Sequence, residues 1–184
     1  FLGCAAAYVL ASGDRTILRS FGRPEQGAMR LPLLLGGGVF LLLLGGYTLL
    51  SPWLDLSAIS GNFQAKEGFT AATFPLAALY ITFGNSLLEE LFFRGFAFLA
   101  LYRSGYKKLA WTFSAIAFAL YHVSIMDGWF HPALLVLLTS GLACAGLLFN
   151  ALDAKSQTIW PGWLVHMGAN LAINTIALHL WGII

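Results

Sequence analysis

Charged residues are scarce in this chain. Only 10% of its 184 residues are Asp, Glu, Lys or Arg, whereas a soluble domain carries about a quarter. Apolar residues make up 59%, and the mean hydropathy is +0.78. This composition excludes an ordinary soluble domain and predicts an all-α, polytopic membrane protein. The basic residues lie at the ends of apolar stretches, so the net charge of +2 predicts no nucleic-acid partner.

Cysteine is scarce too. Cys4 and Cys144 lie in separate apolar stretches and form no CxxC pair, so the sequence indicates neither a disulfide framework nor a thiolate metal site. Both are expected to be small buried hydrophobic side chains. No cysteine lies near the polar motifs described below, and no Ser–His–Asp arrangement is indicated, which argues against thiol and serine proteolysis.

Apolar stretches separated by short polar connectors organise the chain. These stretches are 1–13, 31–50, 69–102, 109–126, 131–150 and 159–182. Connectors 14–30, 103–108 and 151–158 hold eight of the ten Lys and Arg residues. Short basic connectors favour the cytoplasmic side, so we place these three inside and Lys66 outside. The pattern predicts a single domain over 1–184, a transmembrane helical bundle with about six to seven membrane segments.

Two apolar stretches differ in length from a single span. The stretch 1–13 is shorter than the ~20 residues that cross a bilayer, so we expect an N-terminal helix that is truncated in this chain. The stretch 69–102 is longer, although the alternation of connectors requires it to cross once. The sequence FGNS (83–86) predicts a break within it, with a new helix from about Leu87.

Three charges lie inside the sequence EELFFR, residues 89–94. In a structural interpretation, Ser86 and Glu89 match a capping box, and the spacing of Glu90 and Arg94 suits an ion pair. Glu89, however, lies ~20 Å from the nearest basic connector by helical rise, where a charge costs at least ~2.5 kcal/mol. Adjacent helical residues point about 100° apart. If Arg94 neutralises Glu90, Glu89 therefore remains available to face a polar cavity.

Polar side chains also lie in two other apolar stretches. His122 is again ~20 Å from a basic connector, and His166 is ~12 Å from the end of its helix. His166, Asn170 and Asn174 are spaced by four residues and form one polar stripe. Each of these side chains could simply bond to a neighbouring helix. Together with Glu89, they are also the groups that activate a water and stabilise an oxyanion.

Three short motifs occur in order in these stretches. EELFFR (89–94) fits EExxxR, FALYH (118–122) fits FxxxH, and HMGAN (166–170) fits HxxxN. No single motif is specific for a protein family, but the three motifs in this order within a polytopic protein are a specific signal. Over about residues 70–180 the chain resembles the CPBP family, which groups type II CAAX prenyl endopeptidases with bacteriocin-processing and immunity-type membrane proteins.

This resemblance implies an intramembrane glutamic endopeptidase that needs no cofactor. By the family pattern, Glu89 and His122 activate the attacking water. His166 and Asn170 then stabilise the tetrahedral oxyanion. Both pairs would line a wet cavity within the bundle.

The resemblance also implies that Glu90 and Arg94 support the site by balancing its charge. The expected partners are membrane lipids and a peptide or protein substrate that enters from the membrane or its interface. Prenylated C-termini, leader peptides and membrane-anchored sorting tails all remain open as substrates. The compact length and short connectors favour a bacterial inner membrane.

Two alternatives remain open. A carboxylate and two imidazoles can hold catalytic zinc, so Glu89, His122 and His166 could bind this metal, although HExxH is absent. Glu90 is then the only obvious carboxylate to orient a ligand. The other alternative is a non-catalytic immunity factor, scaffold or small transporter. A transporter of inverted repeats would show paired broken helices, and only 83–86 suggests a break.

Overall fold

The apolar stretches of the sequence fold as helices. The computed structural model describes residues 1–13, 15–53, 68–126, 128 and 130–184. In this part of the chain the helices are α1 (Leu2–Ser12), α2 (Arg30–Leu50), α3 (Phe74–Arg103), α4 (Lys107–Met126), α5 (Pro132–Ser156) and α6 (Trp160–Leu180). Short 3₁₀ turns, Thr16–Phe21 and Ser51–Trp53, follow α1 and α2. The predicted helical bundle is confirmed, whereas Asp14 and Lys66 lie outside the described residues.

The outer surface of the bundle is apolar. Four helices of the described chain, α2 to α5, are long and apolar enough to cross a membrane; α6 has the length but a lower hydropathy. Leu34, Leu42 and Leu137 are 74%, 73% and 67% exposed. Apolar surface on this scale needs lipid around it, and the chain is an integral membrane protein. Cys4 and Cys144 are exposed as well. Their predicted burial is wrong, because lipid accepts a small apolar side chain without protein cover.

Helix α3 runs through the FGNS sequence without a break. Its turns widen to π-helix over Tyr80–Asn85 and Leu91–Ala100. Ser86 has helical dihedral angles and does not form the predicted capping box; its hydroxyl donates to the Thr82 carbonyl. The predicted break is therefore wrong, because a continuous helix keeps backbone groups bonded where water is absent. One 30-residue helix is what the predicted single crossing requires.

The three basic connectors meet at one end of the bundle. Arg103, the last residue of α3, donates to the carbonyl oxygens of Thr16 and Gln157 at 2.9 and 2.6 Å. The backbone N–H of Ile159 donates to the Ser20 carbonyl at 3.0 Å. These bonds join the chain after α1, after α3 and after α5. Their common end agrees with the prediction that these connectors share one side of the membrane.

Two glycines allow α2 and α6 to approach closely. A Cβ on Gly168 would collide with the carbonyl oxygen of Gly36, and a Cβ on Gly36 would lie 3.0 Å from the Leu164 carbonyl oxygen. Small residues let membrane helices pack at backbone distance. Helix α6 also contacts α3 and α5, and it thereby becomes an interior helix of the bundle.

Candidate active site

Three side chains from three helices converge on one point. Glu89 lies in the α-helical turn Ser86–Glu90, between the two π-helical segments of α3. Its Oε2 is 3.8 Å from Nε2 of His122 on α4 and 3.7 Å from Nε2 of His166 on α6. One such atom from each residue lies within 4.8 Å of the other two. We call Glu89, His122 and His166 the triangle; the sequence predicted that they would meet.

A backbone bond orients the His122 ring. Its Nδ1 lies 2.8 Å from the carbonyl oxygen of Phe118, one turn earlier in α4. Because a carbonyl oxygen can only accept a hydrogen bond, Nδ1 carries the proton. In the neutral ring, Nε2 therefore presents its lone pair to Glu89.

A carboxylate orients the His166 ring. Its Nδ1 lies 2.9 Å from Oε1 of Glu90, which is also 3.2 Å from Nη1 of Arg94. An ionised carboxylate only accepts, so Nδ1 of His166 donates to it. In the neutral ring, Nε2 then faces Glu89 with its lone pair. The predicted Glu90–Arg94 pair is present, and Glu90 has His166, 76 residues away along the chain, as a second partner.

The two oxygens of Glu89 have different surroundings. Oε1 accepts from Nδ2 of Asn85 at 2.5 Å. Oε2 is buried and has no hydrogen-bond partner in the described chain. Its separations from the two imidazole nitrogens exceed hydrogen-bond length. They suit a small bridging group, such as a water molecule or a metal ion, in contact with all three side chains.

Arg94 is fully buried beside the triangle. Its guanidinium carbon lies 4.1 Å from the centroid of the Phe118 ring and 4.8 Å from that of Phe149. Stacking on aromatic faces stabilises a buried cation in addition to its carboxylate partner. Phe118 thus contacts Arg94 with its ring and orients His122 with its carbonyl.

The asparagines of α6 contact the backbone of α3. Nδ2 of Asn170 donates to the Ile81 carbonyl at 3.2 Å. Nδ2 of Asn174 donates to the Ala78 carbonyl at 3.1 Å and to Oγ1 of Thr82 at 2.9 Å. Both bind at or near the first π-helical segment. Asn170 is therefore hydrogen-bonded to the helix that carries Glu89, and its second amide N–H is not used by this bond.

His166 lies as deep as Glu89, although the count of helical rise predicted a shallower position. Ile159, which precedes α6, is fully buried. Helix α6 therefore begins inside the bundle and not at its surface. Counting from the end of a helix underestimates depth when that end is itself buried.

Asp153 and Asn85 were not singled out in the sequence. Asp153 lies in the predicted connector 151–158, but α5 continues to Ser156 and buries this residue completely. Gly146, Asn150 and Asp153 share a buried face of α5, and their helical spacing was the available signal. Asn85 precedes Glu89 by four residues, the spacing at which helical side chains meet.

The similarity of this chain to a known family covers all residues of the triangle. The model of the family described as type II CAAX prenyl endopeptidase Rce1-like matches residues 71–172, more than half of the chain. The chain belongs to this family. No curated protein and no solved structure is similar enough to match. The predicted family is confirmed, and membership makes the protein a CAAX-type membrane protease that acts on peptide substrates. Membership in a protease family argues against the alternatives of an immunity factor, a scaffold or a small transporter.

Proposed function

We propose that the protein is an intramembrane glutamic endopeptidase in which Glu89 and His122 activate the attacking water. The observation that carries this proposal is the buried Oε2 of Glu89, which has no hydrogen-bond partner among the described residues and lies 3.8 Å from a histidine nitrogen that has a lone pair. A water between these two acceptors would donate one hydrogen bond to each. Its oxygen lone pairs would then point to the substrate carbonyl, as general-base catalysis requires.

The reaction begins when Glu89 accepts a proton from this water. The hydroxide adds to the scissile carbonyl carbon and forms a tetrahedral oxyanion. When the C–N bond breaks, the proton held by Glu89 passes to the leaving amine, and the carboxylate is restored. No metal or organic cofactor is required in this scheme.

We assign the oxyanion to His166 and Asn170. Nδ1–H of His166 is committed to Glu90, so His166 can donate from Nε2 only when its ring is doubly protonated. Glu90 then supplies the opposite charge at 2.9 Å. The second N–H of Asn170 is the other donor, one helical turn along α6. Donors aimed at the developing charge stabilise such an intermediate.

The description of the family favours a prenylated C-terminal segment as the substrate. A CAAX segment carries its lipid on a cysteine that is followed by the last three residues of the chain. The lipid-facing surface of the bundle suits lateral entry of such a chain, with membrane lipids as the other partner. We expect the protein in a bacterial inner membrane.

The first test is cleavage of an internally quenched peptide that ends in an S-farnesylated cysteine and three further residues. Purified protein in detergent should cleave this peptide equally well with and without a strong chelator. Glu89→Gln should lower kcat by about 10²-fold or more, because general-base catalysis contributes that much. Glu25→Gln removes an exposed carboxylate from a connector and should leave kcat unchanged.

The outcomes of this test are distinct. Full activity in Glu89→Gln would overturn the glutamate mechanism. Cleavage of the unprenylated peptide at the same rate would overturn the assignment of a prenylated substrate but would not contradict the glutamate mechanism. If wild type leaves the farnesylated peptide intact but cleaves a leader peptide, the substrate assignment fails in the same way.

A zinc peptidase is the second candidate. Both imidazoles point Nε2 at the carboxylate, and each donates Nδ1–H to a carbonyl or carboxylate oxygen, as metal-binding histidines usually do. Zinc bonds of ~2.1 Å place tetrahedral ligands about 3.4 Å apart, slightly closer than the 3.7 and 3.8 Å found here. Glu89, His122 and His166 would hold the ion, and it would activate water as a Lewis acid. Loss of cleavage on chelation, with recovery on adding zinc, would establish this candidate and overturn the first.

A further inference from the structure

Two buried carboxylates converge on Gly162, in the first turn of α6. A Cβ at this position would lie 2.8 Å from Oδ2 of Asp153 and 3.0 Å from Oε2 of Glu90. The backbone N–H of Gly162 donates to Oδ1 of Asp153 at 2.8 Å. Asp153 thus supplies an acceptor to a helix N-terminus, where backbone N–H groups lack partners within the helix. Any side chain at position 162 would displace one carboxylate or both.

Glu90 connects Gly162 to the triangle. Its Oε2 faces the Cα of Gly162, whereas its Oε1 lies 2.9 Å from Nδ1 of His166. His166 follows Gly162 by four residues and so lies on the same face of α6. The position that the Glu90 carboxylate can take against Gly162 therefore determines the hydrogen bond that orients the His166 ring.

We infer that Asp153 and Gly162 are positioning residues for His166. Asp153 anchors the first turn of α6 through the N–H of Gly162. The bare Cα of Gly162 admits the Glu90 carboxylate, which holds Nδ1–H of His166 and leaves Nε2 facing Glu89. This inference rests on the proposed function, in which His166 acts at the reacting oxygen. Neither Asp153 nor Gly162 touches the substrate in this scheme.

Two substitutions at Asp153 separate anchoring from charge. Asp153→Ala removes the acceptor for the Gly162 N–H and should lower kcat for the farnesylated peptide by about 10-fold to 100-fold, the usual effect of losing a residue that orients a ligand or catalytic group. KM should stay within about twofold, because the substrate contacts are unchanged. Asp153→Asn keeps an oxygen acceptor of the same shape, so it should retain kcat within about threefold of wild type.

Gly162→Ala tests the approach of Glu90 directly. The added Cβ should push the Glu90 carboxylate away from His166 and lower kcat by about 10-fold or more. Gly146→Ala is the matched control. Its Cβ would lie 3.0 Å from the Cα of Ala115, so it also strains a tight helix contact but displaces no carboxylate. Gly146→Ala should lower the midpoint of thermal unfolding without lowering kcat.

A spectroscopic measurement makes the test independent of activity. Nitrogen-15 NMR of histidine-labelled protein in detergent reports which ring nitrogen carries the proton, and His166→Gln identifies the signal of His166. Wild type, Asp153→Asn and Gly146→Ala should share one His166 signature, in which Nδ1 is protonated. In Gly162→Ala and Asp153→Ala this signature should shift or divide into two forms.

An unchanged His166 signature in both Gly162→Ala and Asp153→Ala would overturn the inference. Equal losses of kcat in Asp153→Asn and Asp153→Ala would also overturn it, because charge and not hydrogen-bond acceptance would then be the contribution of Asp153. If Asp153→Ala fails to fold, the spectra of Asp153→Asn and Gly162→Ala decide. Full activity of Glu89→Gln together with a Gly162-dependent His166 signature would overturn the proposed function and leave the positioning intact.

Discussion

Both carboxylate oxygens of Glu90 have close neighbours. Its Oε1 meets both Arg94 and Nδ1 of His166, and its Oε2 abuts Gly162. A residue that served only to neutralise Arg94 would not need the second contact. Within the described chain, Glu89, Glu90 and Asp153 lie buried around one guanidinium. Such a concentration of charge in a membrane helix bundle is expensive, and function is the usual reason that it persists.

At the residue scale, we expect Asn85 to hold Glu89 in place. Asn85→Ala removes the donor to Oε1 of Glu89, so the carboxylate can rotate away from the triangle. The expected result is a fall in kcat of about 10-fold, measured with the quenched peptide. Asn150→Ala removes a buried amide that bonds to Ser114 and Trp111 instead; it should lower stability and leave kcat unchanged. Unaltered kcat in Asn85→Ala would contradict this role.

At the scale of the element, α3 is unusual in its two π-helical segments. They flank the single α-helical turn that carries Glu89 and Glu90. Wide turns of this kind occur often at functional sites, because they change the direction in which a side chain points. Helix α6 supports the first of these segments through amide donors. The polar stripe predicted on the last helix therefore has a structural part in addition to its proposed catalytic one.

Asn174 tests this support. Asn174→Ala removes the bonds to the Ala78 carbonyl and to Oγ1 of Thr82. Hydrogen bonds between membrane helices average ~0.6 kcal/mol and reach ~1.7, so the free energy of unfolding should fall by about 1–2 kcal/mol in mixed micelles. Thr175→Ala, which alters only a bond to Leu171 within the same helix, should have little effect. Equal stability of the two variants would exclude a role for Asn174 in holding α3.

At the scale of the whole molecule, the shared end of the three basic connectors is the strongest evidence on topology. Arg103 ties them together through carbonyl oxygens of the neighbouring connectors. Helices α2 to α6 then alternate in direction from that end. The expectation that residues 1–184 form one domain, with its motif-bearing core at 70–180, stays a prediction.

Cysteine labelling of intact cells can test this topology. In a background with Cys4 and Cys144 changed to serine, Arg23→Cys and Lys108→Cys should react with a membrane-impermeant maleimide only after permeabilisation. Ile184→Cys, beyond the far end of α6, should react in intact cells. Labelling of Arg23→Cys and Lys108→Cys from opposite sides would contradict the shared end. Labelling of both in intact cells would reverse the orientation.

Much of the fold could be predicted because hydropathy is a local property. The limits of α2, α4 and α6 fall within a few residues of the apolar stretches. The predicted break at FGNS is wrong because these residues favour turns in water but not in an apolar environment. In an apolar environment, the Ser86 hydroxyl donates a hydrogen bond to the Thr82 carbonyl, and the helix continues.

The amino-acid sequence by itself determined that this chain is a helical membrane protein of its family, and it placed Glu89, His122 and His166 on three separate helices. Composition and short motifs suffice for that, because each can be read from residues adjacent in the chain. Only the tertiary structure decided which nitrogen of each histidine faces Glu89. It also decided that Asp153 lies in the interior of the bundle. The partner of His166 lies 76 residues away along the chain. The orientation of a buried polar group depends on its partners from other helices, and only packing brings those partners together.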